Sequence, residues 1–300
     1  MGYLNSAGLT RLWYKINSTI NTKLASLSGL QNENLLINGN FQVWQRGTSK
    51  IVQNTRDYVC DRFRSGSNTG KCEVKKTSVG MRVTMQTVGS LIVNQMIPNT
   101  ELDLSGKTVT LSVKSTFSGN LVLHFYAMVG GNWIDVANMW LAQGITSMTC
   151  TVPANTTLFC CEINSGDIPV NSFLEMSYIK LEYGSVATAC NPKRLGDVLQ
   201  QCKRYYQVLY IGGQAYSTTL LPISHSLPVE MRVAPNLVYV STCIGGSSHF
   251  LDKFGQGGVD IGTLTVGGLS NMWFFYIKTD NPTLTAGQHY DGVAVLECEI

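Results

Sequence analysis

From Leu35 onward the apolar residues stop recurring every three or four positions and recur every second one. The clearest case is 108–114, where Val109, Leu111 and Val113 fall on one side and Thr108, Thr110, Ser112 and Lys114 on the other. That is the pattern of a strand with one dry and one wet face. Met81, Val83 and Met85 alternate in the same way. Further strands are predicted over 90–97, 121–129, 147–152, 157–163 and 173–182, separated by Gly, Asn, Pro and Ser turns. Many short strands with such turns predict an antiparallel sandwich or barrel. Composition agrees: only 14% of residues are charged and 29 of 300 are Gly, against roughly a quarter charged and ~7% Gly in an average chain. No repeat of fixed period is present, which counts against a propeller or a long β-helix.

Two helical stretches interrupt the pattern. Leu9, Trp13, Ile16, Ile20, Leu24 and Leu27 are spaced by threes and fours, which predicts an amphipathic helix over about 8–28. Its polar face is rich in Asn, Ser and Thr, mediocre helix formers, so it is marginal alone. Two readings stay open: it packs on its own domain, or it docks elsewhere, as a parallel bundle with copies of itself or as a peg into a larger assembly. Beyond Tyr183 a small polar stretch leads to Asn191-Pro192, a cap followed by a residue preset for the first helical turn. Leu195, Val198, Leu199, Cys202 and Tyr206 keep helical spacing, predicting a short bridging helix. Strands resume at 205–211, 216–223, 237–243, 259–266, 272–277 and 293–300. The expected organisation is an N-terminal helix at 1–30, a β domain at 34–190, the bridge at 191–206 and a smaller β domain at 207–300.

The formal charge of +3, from 22 Lys and Arg against 19 Asp and Glu, is too small for the cationic face that nucleic acid demands. No apolar run approaches the ~18 residues of a membrane span. The first residues lack the basic and apolar regions of a secretory signal, so synthesis without one in a reducing cytoplasm is expected. Nine cysteines, an odd number without C-x-x-C, argue against a disulfide framework. Cys160 and Cys161 would face opposite sides of a strand.

The run from Asn34 to Gly47, NLLINGNFQVWQRG, followed by YVCDRF at 58–63, resembles the N-L-L-x-N-G-x-F-x-x-W-Q-R-G and Y-x-x-D-R-W pattern of bacteriophage tail fibres and related virion appendages. The segments IKLEYGSVAT (179–188), LQQCKRYY (199–206) and MRVAP (231–235) are similar to further segments of that family, in the same order. Phe63 stands where Trp is usual. The resemblance implies a jelly-roll domain like those of carbohydrate-binding modules, a smaller C-terminal β-sandwich, a homotrimer, attachment to other virion proteins through the N-terminal helix, and a host surface glycan as ligand. On the residues themselves, Asn38-Gly39 suits a turn needing positive φ, so 35–37 are predicted to pair as a strand before it. Arg46 and Arg62, near Asp57 and Asp61, predict a buried ion-pair cluster with a structural role.

Nothing in the residues assembles a catalytic set. His124, His225, His249 and His289 are isolated, no nucleophile elbow accompanies Ser247-Ser248-His249 or His289-Tyr290-Asp291, and no spacing suits a metal. Asp252 and Asp260 are the carboxylates to examine for glycoside hydrolysis, which needs two facing one bond. The expectation is a binding protein, not an enzyme, with no cofactor; the alternatives are a purely structural or decoration subunit without a ligand of its own, and a glycan depolymerase. Sugars present apolar C–H faces and hydroxyl edges, so aromatic residues beside polar loops are the binding candidates: Trp133 in a turn of the first domain, and Tyr216, Phe250, Phe254 and Tyr290 in the second. Each taken alone reads more readily as core or subunit interface; as a set, those of the second domain are the best glycan-site candidates in the chain.

Overall fold

The computed structural model describes residues 33–241, 250–253, 257–260, 264–267, 273–279 and 284–299. The predicted helix with Leu9, Trp13, Ile16, Ile20, Leu24 and Leu27 lies outside these residues. So do Phe254, Cys243 and the 247–249 cluster.

The chain is mainly β and antiparallel. Ten strands, β1 (Ser49–Tyr58), β2 (Arg64–Lys76), β3 (Met81–Met85), β4 (Gly89–Pro98), β5 (Thr108–Phe117), β6 (Val122–Val129), β7 (Asn132–Trp140), β8 (Gly144–Thr151), β9 (Thr156–Ile168) and β10 (Phe173–Tyr183), form one hydrogen-bonded sheet. Its order is β7-β6-β9-β4-β2-β3-β10-β5-β8, with β1 also paired to β2, and it curls nearly into a barrel. Val109, Leu111 and Val113 point into a core shared with Phe63, Phe125 and Phe159 as the alternation implies, but the other face is not wet throughout: Thr110 and Ser112 are buried too, their hydroxyls paired with Thr149 and Ser147 of β8. β11 (Tyr206–Gln214), β13 (Asn236–Ser241), β14 (Phe250–Lys253), β15 (Gly257–Asp260) and β18 (His289–Glu297) make a second sheet; β12 (Leu220–Ser226), β16 (Leu264–Gly267) and β17 (Trp273–Thr279) make a third.

Two local expectations need correction. The turn at Asn38 is present, with φ 61°, but 35–37 form no strand. Gln95 holds Ile37 from both sides, its Oε1 accepting from the backbone N at 2.8 Å and its Nε2 donating to the carbonyl at 2.9 Å. A side-chain amide thus satisfies what a strand partner would. The bridging helix, α1 (Leu195–Lys203), is capped at Arg194, not Asn191, and without a side-chain cap bond. Lys193 in the extended stretch before it is tied down instead, by an ion pair to Glu33 at 2.6 Å. Val198 and Cys202 of α1 pack on Val43, whereas Leu195 is 57% exposed.

The residues that carry the family resemblance meet at one seam between the ten-stranded sheet and the C-terminal sheets. Asn34 accepts from the backbone of Leu36 and Leu181, both at 3.0 Å, and donates to the Ile179 carbonyl at 2.9 Å. A Cβ on Gly39 would stand 2.3 Å from that same carbonyl oxygen, so only glycine permits the approach. Arg46 pairs with Asp61 at 3.3 Å as the sequence implied, and also with Glu297 at 2.8 Å and Glu299 at 3.1 Å. Arg62 pairs with Glu299 and stacks over Tyr205 at 3.5 Å, while Arg46 stacks over Tyr206 at 3.8 Å. Asp57 stands apart from the cluster and pairs with Lys50. Lys180, Glu182 and Thr188 form a further buried knot, with Lys180 Nζ 3.1 Å from Glu182 and 2.6 Å from the Thr188 hydroxyl.

Candidate functional site

The run β1-β2-β4-β9-β6-β7 buries one face in the core. Leu123, Phe125, Phe159, Cys161 and Ile163 point inward and are almost fully buried, so the residues between them point outward. Register then aligns outward residues in rows. Tyr58 lies opposite Arg64, Arg64 opposite Asn94, Asn94 opposite Glu162, Glu162 opposite His124, and His124 opposite Asn138. Six strands at about 4.8 Å spacing make this row about 24 Å long. A neighbouring row holds Met96, Cys160, Tyr126 and Asp135. The hairpin joining β6 to β7 turns on Gly130 and Gly131, at φ 58° and 82°, the double positive φ of a tight two-residue turn. It places Trp133 at the start of β7, on the outward face.

These residues line an open cleft of ≈ 290 Å³, at the lower edge of the ~300–1,000 Å³ usual for small-ligand sites. Trp133 and Tyr126 stand at one end, Arg56 and Arg64 at the other, and Asn94 and Glu162 form the floor. Glu162 is the hub: Asn94 Nδ2 donates to Oε2 and Asn164 Nδ2 to Oε1, both at 2.8 Å, with Arg56 Nη1 3.6 Å from Oε2. Burial, aided by the carboxylates of Glu162 and Asp135, holds the Tyr126 phenol above its ordinary pKa, against the opposing pull of a hydrogen bond with Asn164. Tyr126 therefore remains a neutral hydroxyl able to donate and accept. His124 stacks on it, ring centroids 5.0 Å apart and 8° from parallel. Asp135 Oδ2 lies 3.1 Å from His124 Nδ1 and accepts from Asn138 Nδ2 at 3.0 Å. Trp133 is 47% exposed and Trp140, on the same face of β7, 66%. Exposed indole faces over fixed amides and carboxylates can stack a ring with apolar C–H faces and bind its hydroxyl edge.

Of the sequence candidates, Trp133 lies in this cleft. Tyr216 is 77% exposed but sits on the loop between β11 and β12, in the other unit. Tyr290 offers no face: it is fully buried among Leu209, Leu221 and Leu296, and its hydroxyl accepts from the Thr285 backbone at 2.9 Å. Strand alternation also separates it from its neighbours His289 and Asp291, which share the opposite face of β18. Phe250 opens β14. Asp252 lies opposite Gly258 and Asp260 opposite Phe250 on the β14–β15 hairpin. The sequence reading missed Tyr126, Arg56, Arg64, Asn94 and Glu162. Their one signal is polar residues at alternate positions of strands whose other face is apolar, as in Asn94 and Glu162. Among the described residues, no three His, Cys, Asp or Glu side chains group to hold a metal.

No family model and no curated protein matches the chain. Solved structures similar over about half of it include the module CBM4, 17% identical over 49% of this chain and 98% of that one, TM-score 0.34. Another is TmCBM61 in complex with β-1,4-galactotriose, 10% identical over 51% of this chain and 99% of that one, TM-score 0.33. The enzymatically active domain of bacteriophage CBA120 tailspike protein 4 is 10% identical over 50% of this chain and 21% of that one, TM-score 0.33.

Proposed function

We propose that the chain binds a glycan through the Trp133 cleft, that residues 34–190 are a jelly-roll module of carbohydrate-binding type, and that the protein is a bacteriophage fibre or appendage subunit contacting the host surface. The cleft carries the glycan reading: half-exposed Trp133 and neutral Tyr126 flank a floor of fixed hydrogen-bonding side chains. That is the complement of a saccharide's apolar faces and hydroxyl edges. The virion reading rests on the residue pattern between Asn34 and Pro235. The protein binds rather than cleaves; amides donate to both oxygens of Glu162, which suits a carboxylate serving as a fixed acceptor better than one giving up a proton.

The deciding experiment is an array of bacterial surface saccharides probed with wild type and Trp133→Ala, alongside a reducing-sugar assay. Wild type should bind, the variant at least tenfold more weakly with unchanged melting, and no sugar should be released. Binding unaffected by the substitution would place the site elsewhere, and release would make the protein a depolymerase. The assembly reading predicts a homotrimer by light scattering. Deleting residues 1–30 should leave that trimer intact yet abolish incorporation into particles, because it removes the docking helix.

A further inference from the structure

We infer that the cleft selects an acidic glycan, whose anionic group sits on Arg64 where the cleft runs on into the C-terminal unit; the inference rests on the glycan reading above. A second hollow, of ≈ 500 Å³, shares Arg56 and Arg64 with the Trp133 cleft and is lined further by Asn236, Val238, Glu297 and Glu299. The two hollows therefore adjoin at these arginines. Together they reach from the sheet face, past the arginines, to β13 and the end of β18.

Charge along the groove is unevenly compensated. Glu162 is held by two amides and Arg56, Asp135 by His124 and Asn138, and Asp57 by Lys50. Glu297 and Glu299 are engaged by Arg46, and Glu299 by Arg62 as well. Arg64 is the exception. It is half-buried, its guanidinium carbon rests 5.9 Å from the Tyr58 ring centroid, and among the described residues no carboxylate lies within ion-pairing distance of it. Beside it, Asn94 gives its amide hydrogen to Glu162 and keeps a buried Oδ1 without a protein partner. A guanidinium partly withdrawn from water, with its five donors unspent on any carboxylate, is built to take a carboxylate or phosphate in bidentate fashion. The aromatic end of the groove then holds the sugar ring while Arg64 reads its charge.

The test uses the full-length protein with three probes: an oligogalacturonate, its methyl ester, and a phosphomannan. Wild type should bind the acid at least tenfold more tightly than the ester, with a preference that shrinks as salt rises. Arg64→Gln should bring acid and ester to equal affinity, Arg64→Lys should keep part of the preference, and Trp133→Ala should weaken both. Tighter binding of phosphomannan than of oligogalacturonate would identify phosphate as the anion and equally support the inference. Equal binding of acid and ester by wild type, or a preference untouched by Arg64→Gln, would overturn it while leaving glycan binding in place. If wild type binds no saccharide of any kind, the functional reading itself fails.

Discussion

Asn38 does the work of several backbone partners. Its Oδ1 accepts from the backbone of Gln42 at 2.8 Å and of Val43 at 3.0 Å, and its Nδ2 donates to the carbonyls of Val43 and Asp61, both at 3.0 Å. The positive φ was legible from Asn-Gly; the hub was not, because partners 23 residues away leave no local trace. Cysteine shows the same scale at work. The eight described cysteines are free, with Cys160 in the cleft wall and Cys161 in the core. Burial pushes the Cys72 thiol up to about 12. The folded state then keeps a proton that the unfolded chain releases above its ordinary value near 9. Stability from this thiol is complete below pH 9 and lost as pH rises toward 12, at about 1.4 kcal/mol per unit. Urea midpoints should fall between pH 8.5 and roughly 11, and Cys72→Ala should flatten that slope; parallel curves for the two proteins would refute the assignment.

At the scale of elements, the β6–β7 hairpin sets the aim of Trp133. Gly131 has φ 82° and open space where a Cβ would go, so a side chain there strains the backbone without a clash. Gly131→Val should cost about 1–2 kcal/mol and weaken glycan binding, while Gly166→Ala, with open space and no positive φ, should do neither. Calorimetry and binding on both variants check this. The same hairpin shows where legibility ended. β7 was missed because it is an edge strand exposed on both faces, so nothing forces its residues to alternate. β2 was missed for another reason: it opens on Ser65-Gly66-Ser67, and a Cβ on Gly66 would stand 2.2 Å from the Thr55 carbonyl oxygen. Crowding between strands demands small residues there and erases the hydrophobic signal. By contrast β4, β5, β6 and β10, whose core-facing apolar residues recur at alternate positions over most of their length, were legible to within a residue or two at most of their ends.

Across the whole molecule, the longest sequence pattern and the candidate site occupy different places. The pattern encodes the seam, whose members cluster in short runs and are easily read. The cleft draws Arg56, Asn94, Tyr126, Trp133 and Glu162 from five strands, and only register brings them together. The seam also ties the units energetically. Glu299 is 5% exposed and meets Arg62, itself 3% exposed; removing its charge strands a buried guanidinium at about 3–5 kcal/mol. Glu299→Gln should therefore lower the urea midpoint and split one unfolding transition into two, whereas a single unshifted transition would show that the pair couples nothing. The seam has one more property. Leu35 N donates to the Leu181 carbonyl and Cys298 N to the Tyr205 carbonyl, both at 2.8 Å, so each unit opens and closes beside itself at the same socket. A body whose two ends share a fixed socket can vary far from it: the β6–β7 hairpin and the groove beside it can change while the socket residues Arg46, Asp61, Arg62 and Glu299 stay as they are. One frame can thus carry many differently shaped faces.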